Sequence, residues 1–257
     1  MIAVGPLSGE HTITFREKPM NRIVSTSLIG AAATVALVAG TCAPAFADGT
    51  TTPRLSAGKS LSDIQANAKI QTTARIGALN TAIAKVTAAK DISSADRATI
   101  LGTLNGDLAG MNTVEAKIAA DTTVATAAAD YKTIFTTYRV YAVAIPQSHL
   151  AAAADRMTST AIPRLTDAQA KLSAALAGPD SSKSTPALQA DLTDMSAQIA
   201  AATTALNGIA AQSLAVTPSA YNSNHSVMEP VRSAVKAAIA DLKKAAADGK
   251  TVLAAIK

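Results

Sequence analysis

Chemistry in a protein needs titratable, nucleophilic or metal-ligating side chains brought to one place, and this chain of 257 residues has few to offer. After residue 47 it carries two histidines, His149 and His225. Neither stands in an H-E-x-x-H pattern, and neither has a second histidine at helical spacing. The same stretch has two glutamates, Glu115 and Glu229, too few for a four-glutamate di-iron site in a helical bundle. Asp191 and Asp194 share one helix face and read as solvated carboxylates. His149 with Asp155 is an unconvincing acid–base pair. No G-x-S-x-G elbow, P-loop or Gly-rich dinucleotide loop is present. These readings predict a non-enzymatic protein with no catalytic residues, no metal site and no cofactor.

Residues suited to binding are more evident. Tyr131, Phe135, Tyr138 and Tyr141 fall within eleven residues, with Arg139 among them. They would either line a pocket for a sugar or apolar ligand, or fill the core where alanine leaves space. Packing is the usual role of aromatics at helical spacing, and a small-molecule ligand is the lesser reading. Tyr221 sits beside Asn222, Asn224 and His225, where Asn side chains that close turns would dock the ring on the end of the fold. Near the C-terminus Lys236, Lys243, Lys250 and Lys257 recur every seven residues, with Arg232 one turn earlier. A seven-residue step nearly closes two helical turns, so these form one basic line. Solvated side chains shielding the seam with their stems are the ordinary explanation. The functional one is contact with an anionic cell-wall polymer or membrane surface.

The elements that must position these residues read as helices. Leu61, Ile64, Ala68, Thr72, Ile76, Leu79, Ile83 and Val86 make an apolar stripe at helical spacing. Ser93 with Asp96 predicts an N-cap, and Ile100, Leu104, Leu108 and Met111 continue the pattern. Gly106, Gly110 and Asn112 predict a break, with a restart near Glu115. The next helix is expected to reach Ile145 and end at Pro146. A stripe from Leu150 through Met157 and Leu165 to Leu176 continues in phase across Pro163, which should kink it. Gly178–Ser182 is a turn. Thr185-Pro186 opens a helix whose Leu188, Leu192, Met195, Ile199, Ala202, Leu206 and Ile209 keep the strict heptad spacing of a coiled coil. Residues 216–225 read as a loop. The last helix begins either at a Ser226–Glu229 capping box or at Glu229-Pro230, and carries Val231, Val235, Ala238, Leu242, Ala246, Leu253 and Ile256. The fold class expected is all-α, an antiparallel bundle of long amphipathic helices over 61–257.

A leader precedes this domain. Met20-Asn21-Arg22, the apolar run centred on 28–40, and Ala45 and Ala47 at the −3 and −1 positions are the parts of a secretory signal peptide. Cleavage is expected between Ala47 and Asp48. Residues 1–19 read as a start called too early, 20–47 as the signal peptide and 48–60 as a flexible arm. Retention as a membrane anchor is the rival, and the run is short of the roughly 20 strongly apolar residues a span needs. Lipidation of Cys42 is a lesser alternative. If Cys42 is removed, no thiol remains. The stretch 48–257 has 51 alanines, which favour helix throughout, and its 20 Lys/Arg against 16 Asp/Glu leave a mild net charge of +4. That charge, on an exported chain, argues against a nucleic-acid partner.

Tyr138-Arg139-Val140-Tyr141, Pro146-Gln147, Ala153-Ala154-Asp155-Arg156 and Tyr221-Asn222-Ser223-Asn224-His225 resemble segments of a family of uncharacterised secreted, Ala-rich helical proteins of high-GC Gram-positive bacteria. The resemblance implies export and a helical fold, and it implies no catalytic residues.

Overall fold

The computed structural model describes residues 58–257, and every regular element among them is helical. The leader, with its expected cleavage site and Cys42, and the arm up to residue 57 lie outside the described residues.

Helix α1 (Leu61–Ala88) opens with a capping box. Ser60 Oγ accepts the Asp63 N–H at 3.2 Å, and the Asp63 carboxylate accepts the Ser60 N–H at 3.1 Å. Helix α2 (Ser94–Ala120) is capped by Ser93 over Asp96, as its sequence predicts. The expected break at Gly106, Gly110 and Asn112 does not occur. Ile100, Leu104, Met111, Val114 and Ile118 stay buried across it, and the Asn112 amide folds back onto the Leu108 carbonyl at 2.9 Å. Burial of that stripe outweighs the roughly 1 kcal/mol that each glycine costs a helix.

Helix α3 (Val124–Thr136) stops nine residues before the expected end at Ile145. Arg139 then takes a left-handed conformation, φ 48°. From Val140 to Ala177 the chain is helical without interruption: a π turn (Val140–Ala144), α4 (Ile145–Arg156), a second π turn (Met157–Ala161) and α5 (Ile162–Ala177). Pro146 therefore ends nothing. Like Pro163, it follows directly on a π turn. Proline within an α-helix loses an N–H and drives its ring into the carbonyl four residues back. In both π turns the closing N–H bonds five residues back, Ile145 to Val140 and Ile162 to Met157. The wider turn makes room for the ring while the helix carries on.

After the turn at Gly178–Asp180 and a short 3₁₀ turn (Ser181–Lys183), α6 (Pro186–Leu206) starts under the Thr185 cap. Its seam is buried from Leu188 to Leu206, and Ile209, the last position of the heptad run, lies buried past a left-handed Gly208 in α7 (Ile209–Leu214). The expected loop at 216–225 holds a short helix, α8 (Pro218–Ser223). Helix α9 (Glu229–Ile256) begins at Glu229-Pro230 with no side-chain cap, so the Ser226–Glu229 capping box does not form. Its buried face takes in Ala245, Gly249 and Val252 beyond the expected stripe, while Ala246 is half-buried.

The helices pack as a bundle-like assembly with its core in two halves. Ile64, Leu79, Ile100, Leu104, Met111 and Ile134 from α1–α3 centre one. Met195, Ile199, Leu206, Val235 and Leu242, with Met157 and Leu165, centre the other, and Leu172, Leu188 and Val252 extend it. Gly249 lets α6 come close: a Cβ there would meet Met195 at 3.3 Å. Helix α4 runs between the halves with α7 against it, where Ser213 Oγ donates to the Gln147 carbonyl at 2.9 Å. The junction is pinned by polar contacts: Arg156 grips Asp91 through two nitrogens, and Asp155 accepts the Ser93 N–H at 2.9 Å. No helix among the described residues is long and apolar enough to cross a membrane.

Candidate functional site

The basic line lies on the outer side of α9. Its buried face points into the second core half, which leaves Arg232, Lys236, Lys243, Lys250 and Lys257 exposed. Arg232 is engaged by Glu229 at 2.7 Å, one turn back on the same helix. The four lysines make no ion pair or side-chain hydrogen bond with a described residue. They form an array of solvated charges, and nothing in the fold consumes them.

The aromatic residues expected to form one pocket are divided by the fold. Tyr131 and Phe135, one turn apart on α3, pack with ring centroids 5.3 Å apart. Phe135 and Tyr141 both lie against Arg75 of α1, whose guanidinium carbon is 4.6 Å and 4.9 Å from their ring centres. Tyr138 turns away and fills the space over Gly110 of α2. Arg139 leaves the group altogether, because its left-handed backbone redirects the chain between α3 and the π turn. Its Nε donates to Asn222 Oδ1 at 2.7 Å, and its guanidinium lies 5.4 Å from the Tyr221 ring centre.

This last contact explains the Tyr221 segment. Asn222 accepts from Arg139 and donates its own amide to the Thr136 carbonyl at 2.8 Å, at the open end of α3. Tyr221 is buried with Val143, Val216 and Met228 and packs on His225. The segment clasps the irregular stretch 137–139, and Asn side chains do the local backbone work.

Arg75 is the residue that pattern reading missed. The stripe read from hydrophobicity placed Ile76 and Ile83 on the seam; both are half-buried, and Arg75 and Ala82 take the buried positions. The signal is the register itself, since Ala68, Arg75 and Ala82 stand seven apart, as do Thr72, Leu79 and Val86. Burial works against the Arg75 charge and lowers its pKa, with the Tyr141 and Tyr131 phenols acting the other way.

Other titratable groups stay dispersed. Burial pushes the Asp107 carboxyl up to about 6. Burial, with Lys85 nearby, lowers the pKa of His149. Asp155 bonds Ser93 and makes no pair with His149. Burial, then Asp191 and Asp194, raise the pKa of Asp248 across the α6–α9 contact. No group of three metal-ligating side chains converges among the described residues. No family model, curated protein or solved structure matches this chain.

Proposed function

We propose that this chain is an exported, non-enzymatic helical bundle with an interaction role at the cell wall or outside the cell, and that it meets an anionic surface through the outer face of α9. The observation that carries this reading is the line of four lysines, all exposed and none paired with a described residue, on a helix whose opposite face is committed to the core. Exposed lysines present their ammonium groups to an external anion, and a regular spacing lets several engage one polymer or headgroup plane together. The export signal and the resemblance to secreted helical proteins favour the same setting.

An antiparallel arrangement supports the surface. Gln65, near the start of α1, donates to carbonyls of Ile118, Ala119 and Asp121 at the end of α2, at 3.1–3.2 Å. Lys183, before α6, reaches the Ile256 carbonyl at the end of α9 at 2.6 Å. Start-to-end contacts of this kind belong to neighbours running in opposite senses, with α9 packed along α6. A small-ligand pocket built from Tyr131, Phe135, Tyr138, Arg139 and Tyr141 together has less support, because these side chains face three different neighbourhoods.

Replacing Lys236, Lys243, Lys250 and Lys257 together by Gln tests the reading. The change takes the net charge of 48–257 from +4 to zero. The variant should keep its helical circular dichroism, since all four side chains are exposed. It should elute from isolated cell walls or anionic vesicles at much lower salt, because at a Debye length of about 8 Å only a close array of charges holds a surface. Elution of variant and parent at the same salt would refute the contact.

A further inference from the structure

Arg75 is a buried cation without a counter-ion. The residue is 8% exposed, yet no carboxylate pairs with it among the described residues. Glu115 of α2 is bound at 2.6 Å to Thr72 Oγ1, one turn earlier on α1. Nη1 of Arg75 is used within α1, at 3.0 Å from the Gln71 carbonyl and 2.8 Å from Gln71 Oε1. Two rings lie against the guanidinium, Phe135 and Tyr141, with centres 4.6 Å and 4.9 Å from its carbon. What remains is the edge formed by Nε and Nη2. It makes no hydrogen bond to a described residue, and neither atom is among the polar atoms sealed from solvent without a partner.

We infer that the Nε–Nη2 edge of Arg75, packed against Phe135 and Tyr141, binds the carboxylate group of a small ligand. Those two nitrogens carry parallel N–H bonds that match the two oxygens of a carboxylate. The two rings and the Gln71 bonds hold the guanidinium in place in advance, so an anion at the edge meets a cation whose position is already set. A buried charge without a partner is costly, and a bound anion offsets that cost. The charge balance selects the class of anion. One guanidinium neutralises one carboxylate, whereas a sulfate or phosphate dianion would bring an uncompensated charge to a partly desolvated site. The site lies in the α1–α3 half and is independent of the lysine face on α9.

Nitrogen-15 NMR of the arginine Nε–H groups of the full chain reads this directly. The Arg75 signal is identified by its loss in Arg75→Lys. Titration with acetate and benzoate, at ionic strength held constant with chloride, should shift that signal saturably, while the other arginine signals stay in place. An Ala-Ala dipeptide with a free C-terminus, compared with its amide, separates a peptide carboxylate from a free organic acid as the source; a saturable shift with any of these carboxylates supports the site. Arg75→Lys keeps the charge and loses the paired edge, so benzoate affinity by calorimetry should fall at least tenfold with circular dichroism unchanged. If that variant unfolds, replacing the other arginines one at a time by Lys assigns the remaining signal to Arg75, and the parent titration decides. No shift with any carboxylate, or an equal response to sulfate or chloride, would overturn the inference.

Discussion

Gly110 and Asp107 lie one turn apart on α2, and both respond to what covers that helix. A Cβ at Gly110 would overlap the Tyr138 ring, whereas one at Gly102 or Gly106 on the same helix would meet nothing within 4 Å. The three positions should therefore answer an alanine with opposite signs. Gly102→Ala and Gly106→Ala should each stabilise by about 0.5–1 kcal/mol through helix propensity. Gly110→Ala must displace the Tyr138 ring and should destabilise by about 1–2 kcal/mol net. Urea denaturation of the three variants checks the pattern, and a uniform gain would show that Tyr138 yields freely. Asp107 holds its proton up to about 6 in the fold, against 3.8 ordinarily. Its contribution is fully present below about pH 4 and is lost as pH rises through about 6, because the folded chain binds the proton more tightly than the unfolded one. Asp107→Asn should thus raise stability by about 1 kcal/mol near neutral pH, with the gain disappearing near pH 4.

At the scale of elements, the most legible parts were those where apolar spacing and end signals agreed. The Ser93 and Thr185 caps form, and every seam position from Leu188 to Ile209 is buried. Leu192, 4% exposed, sits mid-seam. Leu192→Asp should cost more than about 3 kcal/mol by placing a charge with no partner in that seam. A thermal melt like the parent's would mean the seam tolerates charge. Gly106, Gly110 and Pro146 misled where they were read as punctuation. Helix α2 passes its glycines because its stripe stays buried, and the first π turn admits Pro146 to a continuous helical run, as the second does Pro163, across which the stripe was expected to continue. A period of 3.6 carries no trace of a π turn. Arg75 was hidden for a related reason: a pattern built on hydrophobicity has no place for a charge on the seam, and only its aromatic neighbours from α3 and the first π turn make that position tenable. The basic line on α9 was readable because exposure of lysine follows directly from the helical repeat, whereas the division of the aromatic residues depends on the left-handed Arg139.

For the whole molecule, the proposal of export makes a definite statement about its ends. Peptide mass spectrometry of the exported protein should find Asp48 at the N-terminus; a lipidated Cys42 or a species retaining Met20 would contradict it. The described chain should give a strongly helical circular dichroism spectrum and a cooperative melt. The division of the core at α4 has a kinetic meaning as well. The first half is built mainly from α1, α2 and α3, which follow one another along the chain, with Val140, Ala144, Ile145 and Ala151 added, and the second mainly from α5, α6 and α9, with α7 and α8 intervening. Each core is thus assembled mainly from segments near in sequence, so little chain entropy is spent before burial begins to repay it. As the polypeptide emerges from its N-terminus, α1–α3 and residues 140–151 can assemble the first core while residues beyond 160 are yet to arrive, and the wide turn at 157–161 lies where that unit gives way to the rest.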